Sequence, residues 1–392
     1  MKVLFAQNMI HVPAHGGANK ANRLLAESLV ANGHECHVVA PLTGVMATGG
    51  DPAERLAGLG AQDVRTDDTA VVYDLGGVTV HSVRSPSRLM RRIKSVAAEV
   101  EPDWIVVPSD DPGGMVLAAA LGAAPGRVVY LAYTIQQLPF GPAAFYPSTA
   151  GASLVRRAAG VVAISRAVGS YLSDHGGLPS ELIYLPVYGP VPQVRGAAGD
   201  TGSITMINPC GYKGLPIFLG LAEALPELPF LAVPTWGTTA EDRERLAGVP
   251  NIEITEPVDD IDVLLRRTRM LVVPSLWDET FGFSCVDAML RGVPVLAASI
   301  AGLVEAKLGV PYSLPVRRIE SYDATADRAR PVPDLPDQDL TPWVSAVRRL
   351  VDDPGHYADI SARSRTAAAG FVESLDERAL EHYLLALKPI AP

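Results

Sequence analysis

Short apolar runs at regular intervals dominate the first half of the chain. Lys2–Gln7 is the first. A stretch over Ala18–Asn32 follows, with Leu24, Leu25 and Leu29 at helical spacing and Gly33 as a stop. Glu35–Pro41, Trp104–Pro108, Val128–Tyr133, Val161–Ser165 and Leu182–Val187 read as strands. Runs that are apolar throughout suit strands covered on both faces, so the pattern predicts a parallel sheet flanked by helices. The rhythm then restarts. Strands are expected at Ile204–Asn208, Phe230–Pro234, Ile252–Thr255, Met270–Ser275 and Pro294–Ala298, and helices at Leu215–Leu225, Asp260–Thr268 and Phe283–Arg291. This is a second doubly wound α/β unit. Between the two, Tyr188–Gly202 is rich in glycine and proline and reads as a linker. Residues 317–342 combine Pro, Asp and Arg without apolar periodicity and read as an ordered surface excursion or a lid. Helical spacing returns near Val344–Leu350 and Arg378–Leu387.

Composition narrows the class. With 392 residues, 48% of them hydrophobic, the chain fits two domains better than one. No apolar run reaches the roughly 18–20 residues needed to cross a bilayer. The N-terminal run passes straight into a strand without the features of a signal peptide, so a cytoplasmic location is expected. The net charge of −10 and the lack of a long Lys/Arg block argue against a nucleic-acid partner. The densest basic patch, Arg88, Arg91, Arg92 and Lys94, reads as a solvated helix face. Cys36, Cys210 and Cys285 are far apart, show no metal-ligand spacing and fit reduced thiols.

The richest chemistry lies between Leu271 and Leu296, read as strand, loop, helix and strand. The loop carries Glu279 and Gly282, and the helix carries Asp287. That order sets a carboxylate, the backbone N–H groups of Phe281–Ser284 and a helix N-terminus at one sheet edge. A sugar diphosphate needs an acid for its hydroxyls, and N–H donors and a positive helix end for its phosphates. Lys213, on the loop Asn208–Gly214, can meet a diphosphate as a point charge. Gly16 and Gly17 open the first helix but lack G-x-G-x-x-G spacing, which argues against a dinucleotide fingerprint. His11 and His15 in the same loop are either acceptor-side groups or surface residues. Tyr133, Thr134 and Gln136 bring hydrogen-bonding tips to a strand end, and Phe140 in Pro139–Pro142 suits either an acceptor wall or a structural turn. Trp236 and Trp277 either flank a nucleotide base or pack in the core. Asp110 and Asp111 are adjacent, so their side chains diverge and no metal site is expected.

The Glu279-to-Asp287 region resembles the E-x7-E region of retaining nucleotide-sugar glycosyltransferases of the GT-B fold, glycosyltransferase family 4. The resemblance is most specific from about Thr205 to Ala306. It implies two Rossmann-like doubly wound domains facing a central cleft: an acceptor-binding domain at 1–190, a nucleotide-sugar-binding domain at 191–370, and a C-terminal helix at 371–392 crossing back to the first. It also implies a metal-independent, retaining hexosyltransferase without a cofactor, the nucleotide sugar being a substrate and the acceptor a small natural product or a glycan. Glu279 would then orient the donor sugar, Asp287 (where the family usually has Glu) would hold the ribose, Trp236 would lie near the base, and Lys213 with the helix start would stabilise the departing diphosphate. Gly16, Gly17 and Asn208 would approach the diphosphate or sugar. The family tends to have arginine where this chain has Asn208, and a histidine near Tyr133 where it has none. An epimerase of the same fold and a non-catalytic nucleotide-sugar-binding subunit are the alternatives.

Overall fold

The computed structural model describes every residue except 14–15, 43–51, 190, 193–201, 259, 326–330 and 391–392. His15, most of the expected linker and part of the 317–342 excursion therefore lie outside the described residues. The chain divides into two compact units, Met1–Val187 together with the segment from Asp376 onward, and Tyr188–Leu375. Among the described residues, no helix is long and apolar enough to cross a membrane.

The first unit is built on a nine-stranded sheet. Its strands are β1 (Lys2–Ala6), β2 (Glu35–Pro41), β3 (Gln62–Thr66), β4 (Ala70–Leu75), β5 (Val78–Val83), β6 (Trp104–Pro108), β7 (Val128–Ala132), β8 (Gly160–Ala163) and β9 (Glu181–Leu182). Their order is β3-β4-β5-β2-β1-β6-β7-β8-β9. From β5 to β9 every pairing is parallel, and β6 and β7 are buried along their whole length, as their apolar runs require. One edge departs from the expected parallel sheet. β3, β4 and β5 form antiparallel pairs, joined at Asp67, whose carboxylate accepts the N–H groups of Thr69 and Ala70, and at the Gly76-Gly77 turn. β9 is also shorter than the apolar run Leu182–Val187 suggests. Pro186 has no N–H to give a ladder, and Val187 N–H turns back to the Leu185 carbonyl.

The second unit has a six-stranded sheet of β10 (Ser203–Ile207), β11 (Phe230–Val233), β12 (Ile252–Ile254), β13 (Thr268–Val273), β14 (Val295–Ala298) and β15 (Ser313–Leu314). Its order, β12-β11-β10-β13-β14-β15, is the Rossmann order, and all pairings are parallel. In each sheet the chain reverses its direction of travel beside the first strand, between β1 and β6 and between β10 and β13. Loops leaving the carboxyl ends of these pairs cannot cover one another, and a crevice results. Inside the excursion, β16 (Tyr322–Asp323) and β17 (Val332–Pro333) pair antiparallel. A 20-residue helix, Pro354–Glu373, was not legible in the sequence. Its buried stripe is only Ile360, Ser364 and Ala368, too small and too polar to show as periodicity.

The C-terminal helix Ala379–Ala386 belongs to the first unit. Leu380 and Leu384 are buried, Glu381 meets His34 at 2.9 Å, and Ile390 N–H donates to the Gly126 carbonyl. Leu384→Ala should destabilise the first unit by about 3 kcal/mol through the lost methyl groups and the cavity left behind. Hydrogen exchange should accelerate at β8 and stay unchanged at β10; equal acceleration in both units would refute this placement.

Candidate functional site

Lys213 and Glu279, expected to stabilise the diphosphate and to orient the sugar, meet at the reversal point of the second sheet. The loop after β10 leaves through Asn208, in the left-handed region at φ 59°, and makes a turn at Gly211–Lys213. Gly214 ends the turn at φ 85°. A Cβ there would lie 2.0 Å from the Pro274 carbonyl oxygen, so only glycine lets this loop rest against the backbone leaving β13. The Tyr212 carbonyl accepts the N–H of Leu276 at 2.9 Å and that of Trp277 at 3.4 Å, which ties the two loops together.

Across that contact the Lys213 ammonium pairs with Glu279 Oε1. The same oxygen accepts the Ser275 hydroxyl at 2.6 Å, and the ammonium sits 4.5 Å from the centre of the Trp277 ring. The side chains of Lys213 and Glu279 are only 18% and 12% exposed. Burial pushes the Glu279 carboxyl up, but Lys213 and the hydrogen bonds outweigh it and hold the group below the usual carboxylate range. Neither Ser275 nor the cation–aromatic contact was foreseen. The Ser-x-x-x-Glu spacing of 275 and 279 was the available signal.

Immediately after Glu279 the chain turns at Gly282 (φ 108°) into the helix Phe283–Leu290, which has no side-chain cap. A Cβ on Gly282 would meet the Leu303 side chain at 2.6 Å. The N–H groups of Phe283 and Ser284 fall where a helix has no internal acceptors, and they carry partial positive charge. The Phe281 ring is buried, stacked on Phe371 with centroids 5.7 Å apart, so it serves packing. On the next turn Asp287 lies 3.4 Å from the Arg291 guanidinium, which also binds Asp262 at 2.5 Å. Any ribose hydroxyl at Asp287 would share the carboxylate with that arginine.

Asn208 does not leave a gap where a cation was expected. It is buried, and its Oδ1 accepts the Gly237 N–H at 2.9 Å, fixing the loop that carries Trp236. Its Nδ2 has no protein partner. Trp236 is 43% exposed and stands 6.1 Å from Trp277, whereas Trp277 is buried and packs 5.2 Å from Tyr212. Glu305 sits in the helix Ala301–Ala306, whose Gly302 N–H donates to the Glu279 carbonyl at 2.8 Å.

The first unit has its own reversal point between β1 and β6. Asp110 and Asp111 diverge as their adjacency requires. Asp110 accepts the N–H groups of Asn8 and Met9, and Asp111 accepts that of Val116. Burial pushes Asp110 up to about 7 despite those bonds. Gly16 (φ 93°) and Gly17 stand at the start of the helix Gly17–Ala31. His11 is buried with an unpartnered Nδ1, and burial, then Arg23, lower it to about 4. It is an uncharged imidazole at neutral pH, able to position a hydroxyl but weak as a general base. Tyr133 is buried with an unpartnered hydroxyl, and burial, then the Asp110 charge, push its pKa up. Gln136 lies in the turn Ile135–Gln137. Phe140 serves the fold, because its ring edge occupies the space a Cβ on Gly176 would need.

Two family models match the chain. One is described as Glycosyltransferase Family 4 and matches residues 15–187; the other is described as Glycosyl transferases group 1 and matches residues 212–320. The chain is 27% identical over 114 residues to the uncharacterised 42.6 kDa protein in the cps region of Klebsiella pneumoniae, covering 29% of this chain and 30% of that protein. It is 32% identical over 107 residues to D-inositol 3-phosphate glycosyltransferase 1 of Catenulispora acidiphila, covering 27% of this chain and 21% of that protein. The chain thus spans less than a third of the length of these curated relatives. Anabaena Alr3699/HepE, solved in complex with UDP, aligns over 99% of this chain and 100% of its own, with a TM-score of 0.66 at 17% identity, a likeness of fold.

Asp110 gives the first unit a defined pH response. An unfolded aspartate releases its proton near 3.9, whereas folded Asp110 holds its proton up to about 7. The native state binds the extra proton between those values, so stability falls as pH rises through that window. Urea unfolding should show this slope in the wild type and a flatter one in Asp110→Asn; equal slopes would contradict it.

Proposed function

The chain belongs to glycosyltransferase family 4, of GT-B fold, and on that ground we propose that it transfers a sugar from a nucleoside-diphosphate sugar to an acceptor hydroxyl with retention at the anomeric carbon. The observation that carries this reading is the Lys213–Glu279 pair, set beside an uncapped helix start at the reversal point of a parallel sheet. A diphosphate arriving there meets one ammonium group and the N–H groups of Phe283 and Ser284.

In this proposal the pair is a latch for the donor. The ammonium leaves Glu279 for the phosphate oxygens, and the freed carboxylate takes the sugar hydroxyls. Trp277 keeps the ammonium close to both positions. Asn208 Nδ2 adds a donor, Asp287 takes the ribose, and Trp236 offers its exposed face to the base. The first unit receives the acceptor, a small natural product or a glycan, with His11, Tyr133 and Gln136 placing its hydroxyl. A buried neutral imidazole fits a positioning role. The acceptor proton passes to the leaving phosphate on the same face as the departing group, so no protein base is required. HepE was solved with UDP, which makes UDP-sugars the first donors to test.

Thermal unfolding in the presence of UDP-, GDP- and TDP-sugars tests the donor site. At a hundredfold excess over Kd, the matching donor should stabilise the wild type by about 2.7 kcal/mol. Lys213→Ala should abolish that gain. Stabilisation that survives this substitution would refute the diphosphate role of Lys213. Product NMR with the matched donor and acceptor should show the donor's anomeric configuration, and inversion would refute retention.

A further inference from the structure

Between β15 and the helix Thr341–Asp352 the chain makes an excursion that no role described so far uses. It is closed at its base. Gln338 accepts the Arg317 N–H at 3.0 Å and returns a bond to the Arg317 carbonyl at 2.8 Å. Beyond it Trp343, fully buried, donates to the Pro315 carbonyl at 3.2 Å. Farther out, Tyr322 and Asp323 pair with Pro333 and Val332. The excursion is thus tied at its base and again at the β16–β17 pair.

Its contacts fall on the two loops that carry the Lys213–Glu279 pair. On the loop after β13, the Leu276 carbonyl accepts the Ile319 N–H at 2.8 Å, and the Asp278 carboxylate, one residue before Glu279, pairs with Arg318. On the loop after β10, the Tyr212 hydroxyl donates to the Pro331 carbonyl. The Tyr212 ring stacks with Tyr322, centroids 6.2 Å apart and planes 29° from parallel. Gly211 completes the fit, because a Cβ there would lie 3.3 Å from both Pro333 and Leu335. Tyr212 immediately precedes Lys213 and also packs on Trp277, the ring beneath the ammonium.

A lysine ammonium rides on a flexible four-carbon stem, so its position depends on how firmly its backbone and the surface beneath it are held. We infer that Tyr322 is a positioning residue for the donor site, acting through Tyr212 to fix the Lys213 backbone and the Trp277 ring against Glu279. The inference rests on the donor-site reading above. It gives the β16–β17 pair a task in donor affinity and makes it a brace built into the second unit.

Calorimetric titration with UDP, GDP and TDP tests it in the full-length protein. Tyr322→Ala should weaken the best-bound nucleotide by about 10-fold. Tyr322→Phe should bind like the wild type, since stacking needs the ring and not the hydroxyl. In a Lys213→Met background, Tyr322→Ala should cause no further loss, because its route to the ligand is already cut. Tyr212→Phe, which removes the hydroxyl that donates to Pro331 and keeps the ring, should weaken binding less than Tyr322→Ala and guards against a misfolded alanine variant. Unchanged affinity in Tyr322→Ala, or an equal loss with and without Lys213, would overturn the brace while leaving the donor site standing. A wild type that binds none of the three nucleotides would overturn the donor-site reading and the brace with it.

Discussion

The close approach of two loops, Gly214 against the Pro274 carbonyl, is the constraint on which the site of the second unit depends. A side chain at 214 would part them. Without that contact Lys213 and Glu279 would be two partly solvated charges of opposite sign. With it they form a pair largely withdrawn from water, one oxygen of which also receives Ser275. Such a pair is internally satisfied and contributes little net stability relative to its cost of desolvation. Its value lies in what a third charge does to it. In the proposed reading a diphosphate would compete for the ammonium, and the released carboxylate would need new donors, which a sugar ring would supply. On that reading the electrostatics that pairs Lys213 with Glu279 would also couple recognition of phosphate to recognition of sugar.

Each unit places its chemistry at the point where its sheet reverses, though the two differ in kind. In the second unit, loops after β10 and β13 carry full charges and a helix start. In the first, Asp110 stitches the end of β6 to the backbone after β1, the loop that follows β1 carries the buried neutral His11, and the chain just past β7 carries buried Tyr133. Neutral donors and acceptors suit hydroxyl recognition, and charged ones suit phosphate. The division of labour proposed for the two units follows from these local chemistries.

Much of this was legible in the sequence because parallel strands buried on both faces leave continuous apolar runs. Strands β6, β7 and β14 lie where those runs placed them, to within a residue. The antiparallel edge β3-β4-β5 escaped because polar residues such as Asp63, Arg65, Asp74, Thr79, His81 and Ser82 interrupt its strands and leave no continuous apolar run. The helix Pro354–Glu373 escaped because Ser364 and Ala368 give its buried stripe little hydrophobic contrast. Within the site, residue types were readable and their pairing was not. Lys213 and Glu279 are 66 positions apart, and only the β10-β13 adjacency joins them. Asn208 looked like a missing cation, while the fold uses it as an acceptor for Gly237. The excursion, read as an ordered surface feature or a lid, shows no apolar periodicity because its order comes from backbone bonds and ring stacking on other loops.

The exchange of partners by Lys213 is the central claim, and the ionisation of Glu279 reports it directly. With selectively labelled glutamate, carboxyl NMR should find Glu279 titrating below the usual carboxylate range in the free protein. Saturation with the best-bound nucleoside diphosphate should move that titration upward, as the ammonium turns to phosphate and burial acts on a carboxylate that has lost its cation. A Glu279 titration unchanged at saturation would contradict the account.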